Sequence, residues 1–241
     1  MRMRRKPWAR PELAACPYFI DEPQTLRGRW AQAFSRPQPV WLELGCGKGS
    51  FLTQMAEAFP GVNFLGIDIK SEVLAVARRT LSARFEELGR PVDNVLLTAY
   101  DIERIDQILS PQDQVDRIFI NFCNPWPKAR DHKKRLTHPR WLVKYQQFLR
   151  PGGELWFKTD DDDLFLASHR YLGECGFVLA YETRDLHRSG FSQSPPTEHE
   201  RMFTQEGIPT KFLIARWPGK DAGGSRPPAR AGDGPSPAEE K

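Results

Sequence analysis

From residue 40 to residue 121 the chain alternates between two hydrophobic periods. Short apolar runs stand at Val40–Leu44, Asn63–Ile67, Asn94–Ala99 and Asp116–Asn121. Longer segments with helical spacing separate the first three. Phe51, Leu52, Met55, Ala56 and Phe59 form one apolar stripe, and Val73, Leu74, Ala77, Leu81 and Phe85 form another. Short bounded apolar runs predict buried strands, and a stripe near the 3.6-residue period predicts an amphipathic helix. Three further runs, Glu154–Lys158, Phe177–Tyr181 and Lys211–Trp217, bring the predicted strands to seven. Strands that alternate with helices imply an α/β chain, with a mostly parallel sheet covered on both faces. Ligands of such sheets bind at the carboxyl ends of the strands. No internal repeat is present.

The ends break the pattern. Residues 218–241 read PGKDAGGSRPPARAGDGPSPAEEK, rich in Pro, Gly and charge, with no large apolar side chain to bury. That composition predicts a disordered tail. Residues 1–36 hold Pro7, Pro11, Pro17 and Pro23 among Trp8, Tyr18 and Phe19. They predict a basic arm or binding loop rather than a helix, which leaves 37–217 as the one folded domain, a size that suits a single core.

Charge and cysteine usage narrow the function classes. The net charge is only +4, so its distribution matters more than its sum. Arg2, Arg4, Arg5, Lys6 and Arg10 form one basic cluster, and a second block runs from Lys128 to Arg150. Two concentrations of positive charge suggest a polyanionic partner. Cys16, Cys46, Cys123 and Cys175 are far apart, with no Cys-x-x-Cys pair and no zinc spacing, so no metal is expected. Nothing resembles a disulfide framework, which fits the cytoplasm. No apolar run approaches the ~18 residues of a membrane helix, so no membrane association is expected.

Candidate chemistry gathers at the predicted strand ends. The first strand runs into LELGCGKGSF, where Gly45, Gly47 and Gly49 form a glycine-rich turn before a helix. Glycine permits positive φ and close approach of backbone to ligand. Glu43 precedes this turn, and a carboxylate there suits a cationic ligand better than a pyrophosphate. Asp68 falls at the tip of the second strand, where an acid can accept both hydroxyls of a ribose. Asp101 lies just beyond the third, in a position equally suited to a helix N-cap. The fourth strand runs into NFCNPWPKARDHKKRL, a proline-stiffened loop with Trp126 that leads into dense positive charge.

With Glu43, the glycine turn, Asp68 and Asp101 at successive strand ends, the chain resembles the class I S-adenosylmethionine-dependent methyltransferases, a Rossmann-like fold. The segments NPWPKARDHKKRL, KTDDDDLF and SPPTEHERMF then resemble, in order and spacing, the bacterial tRNA (guanine-N7-)-methyltransferases of the TrmB family. The similarity covers roughly Pro39 to Trp217. It implies methyl transfer from S-adenosylmethionine to N7 of a guanosine in the tRNA variable loop. It implies that Glu43, Gly45, Gly47, Gly49, Asp68, Asp101 and Asn124 hold the cofactor, with Asn124 at the reacting centre. It further implies that Lys128, Asp160, Thr197, Glu198, His199 and Glu200 contact the substrate. The chain departs from the family pattern at Asn124, where many members carry Asp.

The chemistry tolerates that change, because guanine N7 already presents an in-plane lone pair and no proton must leave for it to attack. His132 and His138 are therefore expected in surface or capping roles, and Asp161–Asp163 as helix-capping residues after a substrate-binding Asp160. Lys128, Arg130, Lys133, Lys134 and Arg135 are expected to meet RNA phosphates. Two other readings compete: a methyltransferase of the same fold acting on an exocyclic amine, and an RNA-binding protein that keeps the fold without catalysis. Monomer and homodimer are both compatible with the sequence.

Overall fold

The computed structural model describes residues 6–220. Arg2, Arg4 and Arg5 of the first basic cluster, and residues 221–241 of the predicted tail, lie outside the described residues.

The described residues form one eight-stranded sheet. The strands are β1 (Phe19–Ile20), β2 (Val40–Leu44), β3 (Asn63–Asp68), β4 (Val95–Ala99), β5 (Val115–Asn121), β6 (Leu149–Thr159), β7 (Val178–Thr183) and β8 (Lys211–Arg216). Their spatial order is β1-β4-β3-β2-β5-β6-β8-β7. Pairings from β1 to β6 are parallel, and β8 lies antiparallel between β6 and β7. All seven predicted strands are present, within a few residues of the expected bounds. The eighth, β1, is two residues long and carries no periodic signal of its own.

The helices are α1 (Ala9–Ala14), α2 (Trp30–Ala33), α3 (Ser50–Ala58), α4 (Ser71–Glu87), α5 (Pro139–Tyr145), α6 (Asp162–Glu174) and α7 (Glu198–Gln205). The two apolar stripes are the buried faces of α3 and α4: Phe51, Leu52, Met55 and Ala56 on one, and Leu74, Ala77, Leu81 and Phe85 on the other. Phe59, just past the end of α3, and Val73 are the half-buried members, and Val73 faces the cleft described below. Asp161 caps α6 by accepting from Leu164 N at 2.6 Å, as the acidic run suggested.

The N-terminal segment is more regular than its prolines suggest. It contains α1, which packs on α4, and it adds β1 to the sheet edge through pairing of Phe19 and Ile20 with Leu97 and Thr98. Pro11 is tolerated because it stands third in α1, where the backbone N–H has no intrahelical partner to lose. Leu13, Tyr18 and Trp30 are buried in the same hydrophobic core as the sheet. The Tyr18 hydroxyl donates to Arg78 O at 2.9 Å, and Trp30 Nε1 donates to Ile108 O at 2.7 Å. These polar tips are satisfied, so the aromatic bodies stabilise the core without a desolvation penalty.

Candidate active site

The parallel register puts Glu43, Asn121 and Lys158 on one face of the sheet at the carboxyl ends of β2, β5 and β6. Glu43 is 3 % exposed. Its Oε1 accepts from Asn121 Nδ2 at 3.0 Å, while its Oε2 is buried with no hydrogen-bond partner. An unpartnered buried carboxylate oxygen is costly, and a cation supplied from outside would relieve it.

The glycine turn explains the shape beside it. Gly45 N and Cys46 N both donate to Ile67 O, at 2.8 and 3.0 Å, folding the turn back over β3. Gly45 and Gly47 have φ of +78° and +55°. A Cβ at Gly45 would meet nothing within 4 Å, and one at Gly47 only Gly45 O at 4.0 Å. Both therefore border open space. Gly49 differs. It caps α3 in the left-handed region, and a Cβ there would lie 2.8 Å from Ala77 Cβ. Packing of α3 on α4 thus already requires glycine here, and Gly49 lines neither of the cavities described next.

Two cavities meet along this edge. The first, of about 390 Å³, is lined by Glu43, Gly47, Phe51, Asn121, Thr197 and His199, among others. The second, of about 520 Å³, is lined by Asp68, Asp101, Phe122, Asn124, Trp126 and Leu136, among others. Gly45, Gly47, Val73, Asn121 and Phe122 line both, so they form one cleft. Asp68 Oδ2 accepts from Gly47 N at 3.1 Å and Oδ1 from Lys70 N at 3.0 Å. Asp68 thus also fixes the glycine turn. Asp101 both lines the cleft and caps a 3-10 turn, accepting from Glu103 N at 3.0 Å.

The loop after β5 is strained and held from below. Phe122 and Trp126 have φ of +51° and +45°, unfavourable for bulky side chains. Between them Asn124 is exposed, and its Oδ1 accepts from Trp126 N at 3.2 Å. Arg135 keeps this conformation. It is fully buried, donates from Nε to Pro125 O at 2.7 Å and from Nη2 to Trp126 O at 3.5 Å, and pairs with Asp163 at the start of α6. The expectation that Arg135 meets RNA phosphate is therefore corrected: its guanidinium is a strut under the loop. Lys128, Arg130, Lys133 and Lys134 are exposed, and Lys134 Nζ lies 4.6 Å over the Trp126 ring. His138 caps α5, its Nδ1 accepting from Arg140 N at 3.3 Å.

The expected substrate residues separate. Thr197, Glu198 and His199 line the first cavity. Glu198 pairs with Lys48 at 2.7 Å, and the His199 ring stands 5.8 Å from the Phe122 ring at 22°. Glu200 points inward instead. It is 6 % exposed, its Oε2 accepts from Lys158 Nζ at 2.7 Å, and it completes a capping box with Thr197. One oxygen of Glu200 is thus engaged by the protein's own lysine. Lys128 and Asp160 line neither cavity. Periodicity missed α7 as a cleft wall, and it missed Arg135 and Lys158 as buried charges. The only available signal was the capping-box spacing of Thr197 and Glu200.

The donor set fits S-adenosylmethionine. Glu43 offers a free carboxylate oxygen in a buried pocket beside a glycine cradle that a Cβ would fill, and Asp68 lies at the next strand tip. Among the described residues no cluster of His, Cys, Asp or Glu has metal-binding geometry, and no helix is long and apolar enough to cross a membrane.

Glu43 also predicts a pH signature. Burial pushes its carboxyl from the ordinary 4.5 up to about 8, against the opposing pull of the Asn121 hydrogen bond and the charge of Lys158. Between these values the folded chain keeps a proton that the unfolded chain releases. Stability of the free protein should therefore fall as pH rises through this window and level off above it. A cation bound beside Glu43 releases that proton, so cofactor affinity should rise toward pH 8. Urea unfolding and calorimetry at several pH values check both, and Glu43→Gln should flatten both profiles.

Comparison with known proteins agrees with this geometry. The family described as "Putative methyltransferase" matches residues 37–213. A tRNA (guanine-N(7)-)-methyltransferase of Ruminiclostridium cellulolyticum is 52 % identical over 218 residues, covering 90 % of this chain and 92 % of that one. The protein of the same name from Clostridium perfringens strain SM101 is 52 % identical over 217 residues, covering 90 % of this chain and 99 % of that one. Among solved structures, the 16S rRNA methyltransferase KamB superposes with a TM-score of 0.55 at 14 % identity, over 75 % of this chain and 88 % of that one. An antibiotic-related methyltransferase gives 0.54 at 16 % identity, over 74 % and 87 %. These two likenesses establish the Rossmann-like methyltransferase fold. The near-full-length identity goes further: the chain belongs to the tRNA (guanine-N7-)-methyltransferase family.

Proposed function

We propose that this chain transfers a methyl group from S-adenosylmethionine to N7 of a guanosine in the variable loop of tRNA. One observation carries the cofactor half: the unpartnered buried oxygen of Glu43 faces a cleft that also holds Asp68, Asp101 and Asn124. Family membership carries the guanine half. When bound, S-adenosylmethionine supplies a methyl group made electrophilic by its positive sulfur. Glu43 would meet the cationic end of that molecule, Asp68 its ribose, and Asp101 its adenine edge. Asn124 stands at the rim of the same cleft, on a loop that Arg135 holds in place. The target nitrogen brings its own lone pair, so the residues need only align it, and alignment alone can supply a large part of a rate enhancement. An oxygen at that rim, such as Asn124 Oδ1, would stabilise the positive charge that the methylated ring acquires. The cleft is built from one chain's elements, which supports a complete site in a monomer or in each half of a homodimer. The four cysteines are free, which supports a cytoplasmic setting.

Product identity tests the reading. After incubation with cofactor and an unmodified tRNA, mass spectrometry of the digested nucleosides should find 7-methylguanosine. A methylated exocyclic amine would contradict it.

Asn124→Asp sharpens the assignment. Aspartate keeps the acceptor for Trp126 N and adds a negative charge beside the ring. Turnover should hold or rise. A large fall would instead mean that the neutral amide polarises an amine nucleophile.

The exposed lysines supply the third test in this group. Replacing Lys128 and Lys133 together by glutamine should raise KM for tRNA and flatten its salt dependence, by about 0.7–0.9 in slope per lost phosphate contact. Affinity for the free cofactor should not move. An unchanged slope would return these lysines to ordinary solvated surface.

A further inference from the structure

Lys158 lies in β6, in register with Asn121 of β5 and Phe212 of β8, and its side chain is 1 % exposed. Its ammonium donates to Glu200 Oε2 at 2.7 Å and to Pro195 O at 3.0 Å. The same Glu200 oxygen accepts from Thr197 N at 3.3 Å, and Thr197 Oγ accepts from Glu200 N at 3.0 Å. One buried charge therefore grips both ends of the turn 195–200, which opens α7. That turn supplies Thr197, Glu198 and His199 to the cleft wall.

Besides the packing of His199 and Phe203 on Phe122, the other polar contacts of this wall are weaker anchors. Lys48–Glu198, Gln54–Pro196 O and Arg201–Gln54 are all solvent-exposed. Exposed pairs contribute little, because water and salt screen them. Burying an ammonium is costly, and a well-packed apolar side chain often serves stability at least as well. A buried lysine bonded to the back of a cleft wall is better explained by what it positions than by what it stabilises.

We propose that Lys158 is a positioning residue that pins the turn 195–200 to the sheet and so holds the α7 wall over the cofactor cavity. The inference rests on the cofactor reading of that cavity. In this arrangement Glu200 acts through Lys158 and touches no substrate. Its carboxylate also neutralises the ammonium, which would otherwise present an uncompensated positive charge behind a cationic cofactor.

The test compares Lys158→Met, Glu200→Gln and the double variant with the full chain. Calorimetry with S-adenosylmethionine and amide hydrogen exchange supply the readouts. Each single change should weaken cofactor binding at least tenfold and speed exchange in residues 195–205, with β2 to β5 as protected as before. KM for the cofactor should rise more than kcat falls. The double variant should bind no worse than the poorer single, since both act through one pair. Should Lys158→Met fail to fold, Glu200→Gln retains an acceptor for the capping box and decides alone. Unchanged cofactor affinity and exchange in the single variants would overturn the proposal. So would a Glu200→Gln protein that binds cofactor normally yet loses activity on tRNA, because Glu200 would then contact substrate. If the wild-type protein binds no cofactor, the cofactor reading falls, and the exchange comparison still decides whether Lys158 holds α7.

Discussion

Replacing Arg135 by methionine should lower turnover by about 100-fold while leaving the affinity for tRNA nearly unchanged. The guanidinium is fully buried and holds the carbonyls of Pro125 and Trp126, on either side of the peptide that ends the exposed turn of the loop. Phe122 and Trp126 sit in a backbone region that bulky residues avoid, so the loop does not hold this shape by itself. Methionine fills similar volume but makes none of the bonds. The loop should relax, and Asn124 should leave its place at the cleft rim. A displacement of about 1 Å at a reacting centre is enough for a 100-fold loss. Losing hydrogen bonds made by a buried charged group should also cost about 1.5–3 kcal/mol of stability, measurable by urea unfolding. If Arg135 were a phosphate contact, the opposite pattern would appear: higher KM for tRNA, a shallower salt slope and intact turnover.

Asp68→Ala should weaken cofactor binding by about 1.5–3 kcal/mol, the range for hydrogen bonds to a charged partner. Two effects add. The ribose loses its carboxylate, and the glycine turn loses the acceptor for Gly47 N that fixes its approach. Asp68→Asn keeps one acceptor and should fall between alanine and wild type. Calorimetry measures both, and unfolding curves confirm that the sheet is intact. Wild-type affinity in a folded Asp68→Ala protein would remove Asp68 from the cofactor site.

Features that depend on a local repeat were legible in the sequence. Seven strands and the buried faces of α3 and α4 follow from hydrophobic period. The row of Glu43, Gly45, Gly47, Asp68 and Asp101 follows from placing polar residues where predicted strands end. What escaped depends on distant partners. Strand β1 is two residues long and exists because β4 offers an open edge. Arg135 reads as one more base in a basic run, and only the fold shows it turned inward beneath the loop. Glu200 reads as a free acid, yet it meets a lysine 42 residues away in the chain. Gly49 reads as part of a ligand turn, yet Ala77 of α4 is what requires it. Period finds an element's face, but only packing decides which charge is buried.

Methyl transfer to a tRNA in which every guanosine is replaced by 7-deazaguanosine decides whether N7 is the atom that takes the methyl group. That base keeps its hydrogen-bonding edge and its exocyclic amine, but carries C–H in place of the N7 lone pair. With labelled S-adenosylmethionine, label should enter the ordinary transcript and not the substituted one, although both compete for the enzyme. Equal incorporation into the two transcripts would place the attacking atom elsewhere and rule out N7.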